Sequence, residues 1–174
     1  EFLQTGLIYI QTASSMIPAK VLGPDAGDHV LDMCAAPGSK TTHIAALMGN
    51  RGSIDAWDVY PHKVKLIKDN AKRLGISIIH TEVRDSVKPL PFLYETYDKV
   101  LLDAPCSGLG VLGHKVELRW RRKESDLSVF PPLQKQLIEQ AAKYTKTGGV
   151  LVYSTCTLNP DENEHIINEF LSLH

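Results

Sequence analysis

A doubly wound, mostly parallel α/β sheet is the fold class this sequence predicts, on three observations. Strand-like apolar runs alternate five times with helix-period segments, so successive strands need helical crossovers. No hairpin signal joins any two of the runs. Finally, the runs Val100-Leu101-Leu102 and Val150-Leu151-Val152-Tyr153 each end just before a cysteine, in Asp103-Ala104-Pro105-Cys106-Ser107-Gly108 and Tyr153-Ser154-Thr155-Cys156-Thr157. Side by side in a parallel sheet, those strands would deliver both sulfurs to its carboxyl edge, where open α/β sheets bind ligands.

The elements follow in order. A short helix capped by Ser14 or Ser15 is expected to reach about Leu22, before the turn cluster Gly23 to Asp28. His29 to Cys34 reads as a buried strand, Ala35 to Lys40 as a loop, and Thr41 to about Met48 as a helix ended by Gly49-Asn50-Arg51-Gly52. Ser53 to Val59 is the second strand. Pro61 suits the first turn of a helix whose apolar positions Val64, Ile67, Ala71 and Leu74 recur at helical spacing, with Gly75 closing it. Ile76 to Val83 is the third strand and Tyr97 to Ala104 the fourth. Ser107 to Pro132 reads as a long irregular stretch, and loops of that length inside compact domains are usually functional. Leu133 to Tyr144 is a helix, Gly148-Gly149 a turn and Val150 to Ser154 the fifth strand. A last helix starts near Asp161, where a proline and two acids suit a first turn; the sheet is expected to stop with that strand and helix.

At 174 residues the chain makes one domain, expected to span 1–174. Nineteen basic residues against twenty acidic ones leave a net charge of -1, so any polyanion site must be local. No run is long and apolar enough for a membrane span. Three widely spaced cysteines, Cys34, Cys106 and Cys156, suit neither a disulfide framework nor a zinc site, and no metal is expected. Reduced thiols in the cytoplasm fit this usage. The opening Glu1-Phe2-Leu3 and the helix-like close at His174 are expected to be cut ends of a longer chain.

The strand ends suggest a nucleoside pocket. Gly38 in the first loop allows close backbone approach at a helix start, but the three-glycine dinucleotide pattern is absent. Asp58, Asp85 and Asp103 end the second, third and fourth strands. An acid there can accept from ribose hydroxyls. Three carboxylates around one crevice would repel a phosphate and suit a ribose, an adenine amine and a cationic centre. S-adenosylmethionine offers all of these and NAD does not. Each aspartate by itself also reads as a cap or turn residue.

Asp32-Met33-Cys34-Ala35-Ala36-Pro37-Gly38-Ser39-Lys40-Thr41, the Pro-Cys and Thr-Cys segments, Phe130-Pro131-Pro132-Leu133-Gln134 and Asn159-Pro160-Asp161-Glu162-Asn163-Glu164 together resemble the NOL1/NOP2/Sun family of RNA cytosine-5 methyltransferases. The resemblance covers nearly the whole chain and is strongest to bacterial members acting on small-subunit ribosomal RNA. It implies a Rossmann-like class I S-adenosylmethionine-dependent catalytic domain. It also implies methylation of carbon 5 of a cytosine, in 16S-type ribosomal RNA, through a covalent cysteine–cytosine intermediate. By that match Cys156 attacks and Cys106 assists release, while Cys34, Ala35, Ala36, Pro37, Gly38, Ser39, Lys40, Asp58, Asp85 and Asp103 contact the cofactor. RNA-binding segments before this domain and further strands after it are family features this chain is expected to lack, leaving weak RNA affinity and an unprotected sheet edge.

Several alternatives stay open on the residues. Cys106 is the competing nucleophile, since DNA cytosine methyltransferases use the Pro-Cys cysteine, and both thiols could be small buried hydrophobes. Cys34 reads as packing or backbone contact. Asp103 could hold the cytosine amino edge, and Lys40 could reach the base, a carboxylate or only solvent. His114 to Lys123 is the one dense basic stretch with an aromatic, Trp120; it reads as an RNA contact or a solvated face. Val116 and Ser39 depart from the family's usual proline and glycine. Transfer RNA as substrate, a cofactor-binding scaffold without turnover, and a remote NAD oxidoreductase are the competing functions. Oligomeric state is not predicted.

Overall fold

The structure, a computed structural model, describes residues 2–113, 116, 120 and 123–174. Five strands form one sheet: β1 (His29–Asp32), β2 (Ser53–Asp58), β3 (Ile79–Val83), β4 (Tyr97–Asp103) and β5 (Thr145–Ser154). Their order is β3-β2-β1-β4-β5 and every pairing is parallel. The chain therefore winds outward from β1 twice, and the switch point lies between β1 and β4.

Period-2 alternation sorts the strands' side chains onto two faces. Val30, Ile54 and Leu101 pack with Ala19 and Leu22 of α1 (Ala13–Leu22) and Ile44 and Ala45 of α2 (Ser39–Leu47). Ile67 of α3 (Pro61–Arg73) packs on Ala56 nearby. Leu31, Val100 and Leu102 face the other way, against Leu137, Ile138 and Ala141 of α4 (Phe130–Tyr144) and Ile166 of α5 (Glu164–Leu173). All of the strand residues just named are fully buried, and each such aliphatic side chain contributes about 1.5–3 kcal/mol.

The structure moves several boundaries. Thr12, not Ser14 or Ser15, caps α1, its Oγ1 accepting the Ser15 N–H. β1 stops at Asp32, although Met33 N–H still bonds Leu101 O and Ala35 N–H bonds Trp57 O, which is why the run to Cys34 reads as strand. Ile76 stays tied to the end of α3 through Ala71 O, so β3 starts only at Ile79. The irregular stretch contains 3-10 turns at Leu109–Val111 and Glu124–Ser128, and α4 starts at Phe130 because Pro131 and Pro132 fit its first turn. The Gly148-Gly149 turn is a bulge inside β5: the register passes from Tyr97↔Thr145 to Lys99↔Val150. A 3-10 turn at Pro160–Glu162 precedes α5, which begins three residues later than expected. Most of His114 to Lys123 lies outside the described residues; Trp120 within it is 87% exposed.

Candidate active site

The β4–β5 ladder runs in register to its carboxyl end, pairing Leu102↔Tyr153 and Asp103↔Ser154, and Ala104 N–H adds one more bond to Ser154 O. Both chains then leave the sheet at the same height. Cys106 Sγ and Cys156 Sγ lie 3.1 Å apart, and Cys156 N–H donates to Cys106 Sγ at 3.3 Å. Both are thiols outside any disulfide, Cys156 exposed and Cys106 half-buried. The hydrogen bond to Cys156, then burial, raises the Cys106 thiol above its ordinary range. Thiols this close titrate as a pair, the second proton being much harder to remove than the first. Gly110 completes the cup, its N–H reaching Cys156 O at 3.0 Å; a Cβ there would lie 2.9 Å from that oxygen.

Beneath the sulfurs lies a buried polar layer. Ser107 and Thr157, each following a cysteine, join hydroxyl to hydroxyl at 2.7 Å. Glu162 accepts the Ser107 N–H at 2.8 Å and Gln134 Nε2 at 3.2 Å. Tyr153 OH donates to Glu162 O, and Thr155 Oγ1 to Asn163 Oδ1. Sequence reasoning missed Gln134 and Glu162 as site residues. The available signal was Gln134 itself, a polar residue in the apolar stripe 134, 137, 138, 141 of α4.

The 34–40 loop meets Asp103 at the switch point. Gly38 caps α2 at φ 99, a left-handed conformation that strains any side chain, and a Cβ would come within 3.2 Å of Ile67 Cα, a tight contact. Lys40 Nζ reaches Asp103 Oδ2 at 2.6 Å, and Ser154 Oγ donates to Asp103 Oδ1 at 2.7 Å. Lys40 therefore faces a carboxylate, and its side chain is only 15% exposed. Asp58 is nearly buried at the end of β2, with Oδ1 accepting the Tyr60 N–H. Asp85 lies two residues past β3 and caps its own turn through the Val87 N–H. Along the carboxyl edge the sequence thus places Asp85, Asp58, the 34–40 loop, Asp103 and the cysteine pair in sheet order. Ser86, not anticipated, locks the Asp85 turn to this loop by donating to Met33 O at 2.7 Å. The Cys34 thiol is raised by burial and by Asp32, Asp58 and Asp103, which makes it a poor nucleophile.

Asp32 closes β1 1% exposed, with Oδ2 accepting the Thr41 hydroxyl at 2.7 Å and Oδ1 buried without a hydrogen-bond partner among the described residues. Burial pushes its carboxyl up to about 7; nearby Asp103 adds to this, while Thr41 and Lys40 oppose it. The unfolded value is about 3.9, so between pH 4 and 7 the folded chain holds a proton that the unfolded chain releases. This contribution is complete below pH 4 and lost as pH rises through 7. We expect urea unfolding to show wild-type stability falling by on the order of 2–4 kcal/mol across that window through this group. Asp32→Asn should flatten that part of the profile; an unchanged slope would refute the assignment.

Two hollows flank these elements. One of about 710 Å³ is lined by Ser154, Thr155 and Thr157 beside Cys156, with Ile17 and Pro18 of α1 and Asn163 and Ile167 opposite. Another of about 440 Å³ is lined by Leu7, Met16, His43 and Leu74, and neither hollow has Cys106 or Cys156 in its lining. Among the described residues no group of three or more His, Cys, Asp or Glu is placed to hold a metal ion, and no helix is long and apolar enough to cross a membrane.

Comparison with known proteins identifies the family. The family model for 16S rRNA methyltransferase RsmB/F matches residues 19–174. A relative from Bacillus subtilis, "Probable ribosomal RNA small subunit methyltransferase B", is 45% identical over 174 residues, covering 99% of this chain and 39% of the relative. The mouse tRNA (cytosine(72)-C(5))-methyltransferase NSUN6 is 43% identical over 90% of this chain and 35% of its own length. The chain thus spans well under half of these relatives. A crystal structure of NSun6 from Pyrococcus horikoshii with SFG superposes with a TM-score of 0.91 at 40% identity, covering 99% of this chain and 44% of that one. A SAM-dependent O-methyltransferase from Thermotoga maritima shares only the fold, at TM-score 0.67 and 19% identity. With the sheet order, the paired cysteines and a family match over most of its length, the chain belongs to the RsmB/F family of RNA methyltransferases.

Proposed function

We propose that this chain is the catalytic domain of an S-adenosylmethionine-dependent RNA (cytosine-5) methyltransferase, working through a covalent cysteine–cytosine intermediate. The observation behind this reading is the Cys106–Cys156 pair, 3.1 Å apart at the carboxyl edge of β4 and β5.

The residues present fit the cofactor. Four carboxylates, Asp32, Asp58, Asp85 and Asp103, surround a loop whose one cation, Lys40, is already engaged by Asp103. That donor set suits hydroxyls, amines and a cationic sulfur and disfavours pyrophosphate. Residues 34–40 with Asp58, Asp85 and Asp103 would hold S-adenosylmethionine, which supplies an electrophilic methyl group. The SFG, a SAM analogue, in the Pyrococcus neighbour supports this choice.

The chain's own groups supply the rest. Carbon 5 of cytosine is too weak a nucleophile to alkylate directly. Cys156, the exposed sulfur, adds as thiolate to carbon 6, forming a C–S bond and pushing the ring electrons toward carbon 5. The pair gives up one proton far more readily than two, and we assign the retained S–H to Cys106, whose thiol the hydrogen bond to Cys156 and burial raise; it can donate to the neighbouring sulfur before attack and as it departs. Once carbon 5 bears its methyl, transfer of the carbon-5 proton to water and cleavage of the C–S bond, whose electron pair returns to Cys156 as thiolate, restore the aromatic ring. The base must be extruded or single-stranded to reach both thiol and methyl donor. A cytoplasmic location is part of this proposal, supported by chemistry that needs reduced thiols.

Small-subunit ribosomal RNA is the proposed substrate, supported by the family description and by the bacterial relatives' names. Transfer RNA is the second reading, favoured by the NSUN6 match. The test incubates the full-length protein with labelled S-adenosylmethionine and either small-subunit ribosomal RNA or transfer RNA, then maps 5-methylcytosine. Label in the ribosomal RNA is expected. Label only in transfer RNA overturns the substrate, and donor binding without transfer to either overturns the enzyme reading in favour of a scaffold.

A further inference from the structure

Two sequence segments that the methyl-transfer chemistry does not use meet directly under the cysteines. Gln134 comes from Phe130-Pro131-Pro132-Leu133-Gln134 and Glu162 from Asn159-Pro160-Asp161-Glu162-Asn163-Glu164, and both are fully buried. Between them they grip the backbone on each side of Cys106. Gln134 Nε2 donates to Pro105 O at 2.8 Å, just before the cysteine, and Glu162 Oε2 accepts the Ser107 N–H at 2.8 Å, just after it. The two side chains join at 3.2 Å. Glu162 also reaches the other loop: its Oε1 accepts Asn159 Nδ2 at 3.1 Å and its carbonyl accepts Tyr153 OH at 2.7 Å.

We propose that Glu162, with Gln134, is a positioning residue that holds the Cys106 loop against the Cys156 loop and so sets the spacing of the two sulfurs. This rests on the cysteine chemistry proposed above. Every hydrogen bond made to the Glu162 carboxyl comes from a donor: a backbone N–H, the Gln134 amide and the Asn159 amide. A carboxylate satisfies all three, and bonds of this charge-assisted kind are about twice as strong as neutral ones. A glutamine of the same shape cannot. One of its ends is an NH₂, which in either orientation faces a donor. Turning Asn159 over does not help, because its Oδ1 already accepts the Asp161 N–H. Gln134 is fixed in the same way: its amide is held by two acceptors, and Oε1 is left buried with no hydrogen-bond partner among the described residues. Leaving such an acceptor unsatisfied costs about 1–3 kcal/mol, which is tolerated here because the other amide orientation would set an oxygen against Pro105 O and Glu162.

The test uses the full-length protein carrying Glu162→Gln or, separately, Gln134→Met, which keeps the helix stripe apolar. The first readout needs no RNA: brief iodoacetamide treatment followed by peptide mapping of Cys106 and Cys156. Wild-type protein should be alkylated mainly at Cys156. In each variant the Cys156-to-Cys106 ratio should drop by about threefold or more as the Pro-Cys loop loosens. The second readout is methyl transfer, where kcat should fall about tenfold while KM for S-adenosylmethionine stays within about twofold, since misplacement and not cofactor binding is at fault. A purely structural role would lower Tm and leave the alkylation ratio and kcat of the folded fraction unchanged, and that result overturns the inference. Should Glu162→Gln fail to fold, Gln134→Met decides by the same two readouts. If wild-type protein methylates no cytosine, the proposed function falls, and the thiol map still tests the positioning role.

Discussion

Cys156→Ala should abolish methyl transfer and yield no protein–RNA adduct, whereas Cys106→Ala should accumulate a covalent adduct that denaturing gels resolve. On the proposed mechanism, removing Cys156 leaves carbon 5 at its intrinsic low nucleophilicity, and losing an enzyme's covalent nucleophile costs on the order of 10⁴-fold or more in kcat. Deleting Cys156 also removes the hydrogen bond that most raises the Cys106 thiol, but burial remains and still disfavours a thiolate at Cys106, so the other thiol should not substitute. Its loss instead removes the S–H that eases departure of the bonded sulfur, so the intermediate should build up. The measurement is radiolabelled RNA carried through a denaturing gel for both variants. An adduct with Cys156→Ala and none with Cys106→Ala would exchange the two roles.

The second large effect is expected at Lys40. Its ammonium lies 2.6 Å from Asp103 Oδ2 in a partly buried pair, 15% and 30% exposed. Lys40→Met leaves Asp103 with the Ser154 hydroxyl alone and with the Asp32 carboxyl nearby, an uncompensated charge beside the reacting groups. We expect kcat/KM to fall about a hundredfold, the scale on which breaking a catalytic-site ion pair acts. The double variant Lys40→Met with Asp103→Asn separates two ways in which this can happen. If Lys40 works only by steadying Asp103, the pair of changes costs no more than the worse single change. If Lys40 touches the base itself, the losses add. Steady-state kinetics on the four proteins of this cycle give the coupling directly, and full additivity would remove Lys40 from the role of carboxylate anchor.

What the sequence made legible was whatever repeats with a local period or ends an element. Val30, Ile54 and Leu101 sit in short apolar runs bounded by turn residues, so the strands could be read from the sequence, and with them the common edge of Asp58, Asp103, Cys106 and Cys156. The Ile76-Ser77-Ile78 run misled because isoleucines alternating about a serine look the same whether they join a ladder or fold back on a helix end, as Ile76 does through Ala71 O. Pro131 and Pro132 suggested irregular chain, yet proline is at home in the first turn of α4. Glu162 was hidden for a different reason. Its partners Ser107 and Gln134 lie 55 and 28 residues away, so nothing in its own neighbourhood marks it as buried. Asp32 lay inside the run read as the first strand, with no role assigned to its carboxyl, and only its surroundings reveal a group that titrates near neutrality.

The kink at residues 146–149 has a consequence for how the chain can vary. Upstream of Val150 the ladder already absorbs a mismatch of spacing, so a residue gained or lost there alters only a surface blister. Downstream there is no such slack. Because side chains alternate sides along an extended segment, a single insertion between Val150 and Ser154 would transpose inward and outward positions and carry the thiol of residue 156 away from its mate. Drift in length is thus confined to one end of this edge strand, and the other end keeps a fixed count.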